Sequence, residues 1–402
     1  LAGGIGTACA GFERQVEVAG RAHVRRPGGR KQARGSPAGR PPATGPVTAH
    51  TREPLDPMAR IDAILKLVKE HGASDLHLTT GSPPMVRVNG AIQAIPNEQL
   101  NRETAELLLF EIMEPEVRAR FDRARDVDFS YEVPGVLRVR CNIYEQSKGL
   151  AGAFRILPSA ILTLEQLGVP PHVSGLTECR RGLVLVTGPP GTGKSSTLAA
   201  MVDHINRTQA KHILTIEDPI EFRHQNHQSL VTQREVGRNT PSFAQALRAA
   251  LREDPDVILV GEMRDPETMQ LAITAAATGQ LVFGTLHTMS AAQTVDRIID
   301  SFEGDKQSQV RLMLAESLKG VLAQRLVKRR DGRGRALALE TLVSNNAVSS
   351  LIREKKTFQL GSVIQTGRKE GMQTMDDAIL ALLRDGTIDV DEAAAHVSNR
   401  DV

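Results

Sequence analysis

The sequence predicts an α/β protein: a parallel, doubly wound sheet carrying a phosphate-binding loop, preceded by a smaller α+β domain. Three observations lead there. Between residues 183 and 288 four short aliphatic runs alternate with helical patterns, the rhythm of βαβ units. The first of these runs opens directly into "TGPPGTGKSS", a glycine-rich turn at the start of a helix. Residues 58–158, by contrast, mix helical segments with short alternating strands.

Residues 1–57 differ from everything that follows. "RRPGGRKQARGSPAGRPPATGP" (25–46) is rich in Pro, Gly and Arg and nearly free of aliphatics, so it cannot bury enough surface to offset chain entropy and is expected to be disordered. The segment holds nine Lys/Arg against four acids; with a whole-chain charge of +3, residues 58–402 sum to −2. One reading is a basic tail that touches anionic lipid or a partner. The other, which we adopt as the expectation, is an upstream region translated from a misassigned start, with Met58 as the true start. No apolar stretch follows the charges as a signal peptide requires.

In the smaller domain, Ile61, Ile64, Leu65 and Val68 recur at helical spacing, with Gly72 as a stop. "DLHLTT" alternates like a half-buried strand, and "MVRVNGAIQAI" (85–95) reads as a hairpin turning at Asn89-Gly90. A helix is expected near 102–122, then strands near 126–133, 136–145 and 151–157. Arg138, Arg140 and Arg155 fall on these late strands. They either line a solvated face or reach a phosphate bound elsewhere.

From about residue 170 the chemistry becomes legible. Gly188-x4-Gly193-Lys194-Ser195 has the spacing of a Walker A loop, with a strand at 183–187 before it and a helix from Lys194 after it. Glycines let backbone N–H groups turn inward around a β-phosphate, and the helix N-terminus adds a favourable dipole. Lys194 is placed to reach β- and γ-phosphates, and Ser195 to offer its hydroxyl to Mg²⁺. The candidate nucleotide-binding set is therefore Gly188, Gly191, Thr192, Gly193, Lys194, Ser195 and Ser196, with ATP and Mg²⁺ as cofactors.

The next run, "HILTIEDPIEF" (212–222), ends in Glu217, Asp218 and Glu221. Acids at the C-terminal edge of a strand beside the loop strand sit where open α/β sheets bind ligands. Helix capping or turn chemistry around Pro219 is the other reading. "DPDVILVGEMRD" (254–265) has four apolar residues and then Glu262, a carboxylate placed to polarise an attacking water or to hold Mg²⁺ through water. "GQLVFGTLHT" (279–288) ends in His287, which is either structural or a sensor of the γ-phosphate and water. Beyond residue 290 the pattern is mostly helical. Residues 304–329 read as one long amphipathic helix, followed by a strand "RALALETLV" and helices near 345–354, 356–364, 374–384 and 389–397.

Bulk properties exclude several classes. The slightly acidic body is no basic platform for nucleic acid. Cys9, Cys141 and Cys179 form no paired motif, against a zinc site or disulfide scaffold and in favour of a reducing compartment. No apolar run approaches the ~20 residues that span a bilayer, so no transmembrane segment is expected.

"GPPGTGKS", "TIEDPIE", "REDPDVILVGEMRD" and "TGQLVFGTLHT" together resemble the Walker A, Asp box, Walker B and His box of the secretion ATPase superfamily, the hexameric motors of type II secretion and type IV pili. "GASDLHLTTGSPPMVRVNG" (72–90) and "LIREKKTFQLGSVIQTGRKEGMQTMDDAI" (351–379) resemble its pilus retraction branch. The resemblance spans essentially all of 58–402. It implies a PAS-like domain over 58–158 joined to a RecA-like P-loop domain over 170–402, whose end, about 345–402, is helical. It further implies a homohexamer that hydrolyses ATP to drive pilus retraction and twitching motility. The implied location is cytoplasmic, peripheral at the inner face of the membrane, with an inner-membrane platform protein and a paralogous ATPase as further partners.

By motif, Glu262 would be the catalytic glutamate, Glu221 the key Asp-box acid with Glu217 beside it, and His287 the His-box histidine. Arg138, Arg140 and Arg155 match the stretch from which family members send arginines to the γ-phosphate. The paired-cysteine zinc motif of pilus extension ATPases is missing, which points to retraction. Two departures stand out. The family's usual GPTGSGKS is here GPPGTGKS, with the phosphate-binding positions kept. Its retraction signature AIRNLIRE is here "AVSSLIRE" (347–354), so that Val348, Ser349 and Ser350 replace Ile-Arg-Asn. That change leaves room for an alternative: an accessory ATP-binding subunit of a pilus or type II secretion motor with little force of its own.

Overall fold

The computed structural model describes residues 59–398 apart from Asn89, Pro96, Asn97 and Ser159. The basic N-terminal segment, the start expected at Met58, Cys9 and the Asn89 half of the expected turn lie outside the described residues. The chain divides into two compact units between Ile156 and Leu157.

The first unit is an α+β fold. Helix α1 (Arg60–Glu70) sets Ile61, Ile64, Leu65 and Val68 into the core, as their spacing predicts. Strands β1 (Asp75–Thr79), β2 (Met85–Val88), β3 (Ala91–Ala94), β4 (Asp126–Val133), β5 (Leu137–Gln146) and β6 (Gly149–Leu157) form one sheet in the order β3-β2-β1-β6-β5-β4. Val88 pairs with Ala91 across the expected hairpin.

The helix expected over 102–122 is instead two, α2 (Arg102–Phe110) and α3 (Pro115–Ala124). Pro115 begins the second, since proline lacks the N–H that a continuing helix needs. The break has a use: Glu111 accepts from the Ile61 N–H at 2.9 Å, satisfying an orphan donor in the first turn of α1. Burial pushes the Glu111 carboxyl above its ordinary value.

The second unit is α/β. Its strands are β7 (Gly182–Thr187), β8 (His212–Glu217), β9 (Leu230–Glu235), β10 (Val257–Val260), β11 (Leu281–Leu286), β12 (Leu318–Lys328) and β13 (Arg335–Val343). They form a seven-stranded sheet in the order β13-β12-β7-β11-β10-β8-β9. Every pairing from β12 across to β9 is parallel, and β13 closes one edge antiparallel to β12. All six residues of β7 are buried, as are those of β11, the run-on apolar pattern of strands covered on both faces. The helices between strands are α4 (Lys194–Thr208), α5 (Phe243–Ala250), α6 (Pro266–Thr278), α7 (Ala291–Asp300) and α8 (Gly304–Ser317). The chain closes with α9 (Asn346–Arg353), α10 (Leu360–Thr366), α11 (Met375–Arg384) and α12 (Val390–His396).

The sheet is larger than the four parallel strands expected: β9 and β12 join it, and the strand expected at "RALALETLV" closes its edge as β13; two positions need correction. Residues 304–329 are not one helix: α8 ends at Ser317 and the chain continues as β12. In "LKGVLAQRLVK" residues 320–324 are buried without a break, and such a run has no period that separates strand from helix. Nor is β8 beside the loop strand; β11 and β10 lie between β8 and β7. Because all four are parallel, their C-terminal ends still share one edge of the sheet.

Candidate nucleotide site

The loop after β7 is shaped by its glycines. Gly188, Gly191 and Gly193 have φ of +141°, +79° and +83°. Gly188 shows why a side chain is excluded: a Cβ there would stand 2.4 Å from the Gln324 backbone oxygen. Register explains the approach, since Ala323 of β12 pairs with Thr187, the last residue of β7. Helix α4 then begins at Lys194, so its free N–H groups and dipole face the loop, a ready site for phosphate. Lys194 Nζ donates to the carbonyls of Gly188 at 2.8 Å and Pro189 at 3.0 Å and lies 3.4 Å from His287 Nδ1. Burial pushes the Lys194 ammonium below its ordinary pKa, while the Glu262 and Glu221 carboxylates draw it back up.

Glu262 is set by the end of β10. Gly261 donates its N–H to the Ile216 carbonyl at 2.8 Å, and a Cβ at Gly261 would lie 3.1 Å from that same oxygen. On the other side Thr285 Oγ1 donates to the Gly261 carbonyl, and Met263 N–H to the Thr285 carbonyl. The glutamate is thus clasped between β8 and β11. Its Oε1 lies 2.8 Å from His287 Nε2 and 2.7 Å from Arg264 Nε. Burial pushes the carboxyl up, but the Arg264 and His287 hydrogen bonds and charges outweigh it and hold it below the usual carboxylate value. The structure therefore brings Lys194, His287 and Glu262 into one connected line. Arg264 joins that line and was not picked out from sequence; the signal was a cation two residues past the strand-end acid.

Glu217 is placed differently. Thr215 Oγ1 donates to its Oε1 at 2.6 Å and Gln233 Nε2 to the same oxygen at 3.2 Å. The Glu221 backbone N–H also bonds this carboxylate, and burial, partly offset by these donors, pushes its pKa up to about 7. With its oxygens so engaged, Glu217 braces the turn that carries Glu221. Glu262 ionised and Glu217 raised form a pair of acids pushed apart by their surroundings.

The three arginines lie in the first unit and hold acids there. Arg138 Nη2 donates to Ser130 Oγ at 3.0 Å and faces Glu132, Arg140 pairs with Asp128 at 3.5 Å, and Arg155 with Asp75 at 2.9 Å.

Among the described residues no cluster of three His, Cys, Asp or Glu side chains could hold a metal by itself. Mg²⁺ needs none, since it keeps waters and binds through substrate phosphates with one or two protein oxygens. Ser195, second in α4, and Glu262 fit that donor set. The loop also has two outer supports that the sequence reading missed. Gln324 Nε2 donates to the Thr192 carbonyl at 2.6 Å, and Arg335 Nη1 to the Gly191 carbonyl at 3.3 Å.

A parallel sheet with a glycine loop feeding its first helix, and with an acid and a histidine at the ends of neighbouring strands, defines a P-loop nucleotide-binding protein. The chain belongs to the Type II/IV secretion system protein family, whose model matches residues 50–395. It is 50% identical over 333 residues to the "Type IV pilus retractation ATPase PilT" of Pseudomonas aeruginosa, covering 83% of this chain and 96% of that protein. A "Twitching motility protein" of Neisseria gonorrhoeae is 51% identical over 316 residues, 79% of this chain and 84% of its own length. The solved structure of the pilus retraction motor PilT with bound ADP aligns at a TM-score of 0.78 and 46% identity, covering 84% of this chain and 97% of that one. Among the described residues no helix is long and apolar enough to cross a membrane.

Proposed function

We propose that this chain is an ATP hydrolase that powers type IV pilus retraction, and with it twitching motility. The observation that carries the reading is the 50% identity with a pilus retraction ATPase over 96% of that protein's length, together with Lys194, His287 and Glu262 in line beside the glycine loop. In this proposal the loop N–H groups and Lys194 hold the β- and γ-phosphates. Glu262, kept ionised by Arg264 and His287, takes the proton of the attacking water. His287 touches both Lys194 and Glu262, so it links phosphate binding to the base. Glu221, whose charge acts on Lys194, adds to the acidic side of the site. Mg²⁺, held by Ser195 and the phosphates, supplies charge neutralisation when bound. Arg138, Arg140 and Arg155 are the proposed source of positive charge for the γ-phosphate.

The working assembly in this proposal is a ring of six identical chains at the cytoplasmic face of the inner membrane. It acts on an inner-membrane platform protein, with a paralogous ATPase as a further partner. Deletion of the gene tests the function directly. Hyperpiliated cells that no longer twitch are the expected result, whereas bald cells would assign the motor to pilus assembly. Unchanged piliation and twitching would favour the accessory subunit. The altered signature bears on that reading: Val348 is fully buried in the core, and Ser349 Oγ donates to the Ala315 carbonyl of α8 at 2.8 Å. Removal of residues 1–57 is expected to leave ATP turnover unchanged, since every residue of the loop, the acids and His287 lies beyond them; loss of turnover or of assembly would show the segment to be needed.

A further inference from the structure

We propose that the β12–β13 hairpin is the outer wall that sets the phosphate loop, and that Gln324 is its principal positioning residue. This rests on the reading of residues 188–195 as a nucleotide loop. Gln324 stands one residue beyond the Ala323–Thr187 pair, so it faces the turn where the strand becomes loop. Its backbone oxygen fills the space that a Gly188 side chain would need. Its side-chain amide crosses to the Thr192 carbonyl at 2.6 Å, a buried contact spanning 132 residues of sequence. Arg335, across the hairpin on β13, reaches the neighbouring Gly191 carbonyl at 3.3 Å.

The consequence follows from peptide geometry. In a planar trans peptide the C=O of one residue and the N–H of the next point in opposite directions. With the Thr192 carbonyl held outward against Gln324, the Gly193 N–H is turned away from the hairpin. With the Gly191 carbonyl held by Arg335, the Thr192 N–H is turned likewise. These are the donors a phosphate cradle needs aimed inward before ligand arrives, and fixing them beforehand lowers the ordering cost of binding.

The other end of the same amide argues against a purely structural role. Gln324 is 2% exposed, and its Oε1 is buried without a hydrogen-bond partner. A methionine would fill that space and remove this unmet acceptor, while taking the donor away from the Thr192 carbonyl, so the two effects on stability oppose each other. What the amide adds over an apolar side chain is the donor to Thr192.

Full-length Gln324→Met and Arg335→Ala, beside the parent chain, test this by titration with fluorescent ADP, steady-state ATPase kinetics and thermal melting. Gln324→Met, which trades one unmet acceptor for another, is expected to melt close to the parent and to keep its binding stoichiometry. Its ADP Kd and its KM for ATP should rise together by roughly tenfold, the effect of a lost orienting hydrogen bond, with kcat less affected. Arg335→Ala, a surface change, should raise both by roughly threefold, because its contact is longer and exposed. With Gln324→Met folded, an unchanged ADP Kd overturns the proposal. So does a fall in stoichiometry and kcat at constant Kd and KM, the signature of a merely structural loss. Should Gln324→Met fail to fold, Arg335→Ala decides, and an unchanged Kd there overturns it. A parent chain that does not bind ADP would overturn the nucleotide reading and this inference with it; a parent that binds, with variants that bind equally, overturns this inference alone.

Discussion

Lys194→Ala is expected to abolish measurable nucleotide binding while the chain stays folded. The ammonium sits at the mouth of the loop, held by the Gly188 and Pro189 carbonyls and 3.4 Å from His287. A bound β/γ-phosphate would exchange those neutral carbonyls for anionic oxygens, turning charge–dipole contacts into ion pairs. Truncating one partner of a buried charge pair costs about 2–5 kcal/mol, at about 1.4 kcal/mol for each tenfold in affinity. ATP and ADP affinities should therefore fall by roughly a hundredfold or more. Fold stability should change little, because the side chain lies at the loop rather than in the apolar cores. Retained tight binding, read by calorimetry against the parent, would count against the loop assignment.

Glu262→Gln is expected to show the opposite pattern: binding kept, turnover lost. The amide has the shape of the carboxylate and can still meet Arg264 or His287 through its oxygen, so KM for ATP should move little. It cannot take a proton, and a positioned general base contributes about 10²–10⁴ in rate. A fall in kcat within that range is the expected outcome. The ionised state matters to the sign of the pH effect. The Glu262 pKa lies below the usual carboxylate value, so the base is already ionised at neutral pH. Activity that depends on it should fall only as the solution is acidified through that lowered pKa. Near-normal turnover of the Gln variant would refute the assignment.

The contrast between these two residues and Gln324 shows what was legible in the chain. Gly188 to Ser195 are contiguous, and their chemistry is set by spacing alone, so the loop could be read without any knowledge of the sheet. Glu262 and His287 were legible for a related reason: each follows an apolar run short enough to be a buried strand, and strand ends in α/β sheets are where ligands sit. The acids of "TIEDPIE" were legible as a group but not in their roles. Only folding shows that Thr215 and Gln233 enclose Glu217, and Gln233 comes from β9, a strand absent from the expected elements.

The helical reading of residues 304–329 failed for a reason that also hid Gln324. A strand buried on both faces has lost the alternation that betrays strands, and "LKGVLAQRLVK" follows a true helix without a proline to mark the change. Read as a helix, Gln324 is one polar residue among many. Placed beside β7, it is the donor that meets Thr192 across 132 residues.

Local chemistry was thus determined by the sequence itself: a phosphate loop, a strand-end base, a histidine after the last of the four apolar runs, and an α/β class that follows from their alternation. The tertiary structure alone decided which of these meet. It put β11, which leads to His287, next to the loop strand and β10, which leads to Glu262, beyond it, with β8 further out, and it put β12 on the other side. Strand order is settled by which buried faces pack together over long separations, and residues that are uniformly apolar carry no local mark of their neighbours.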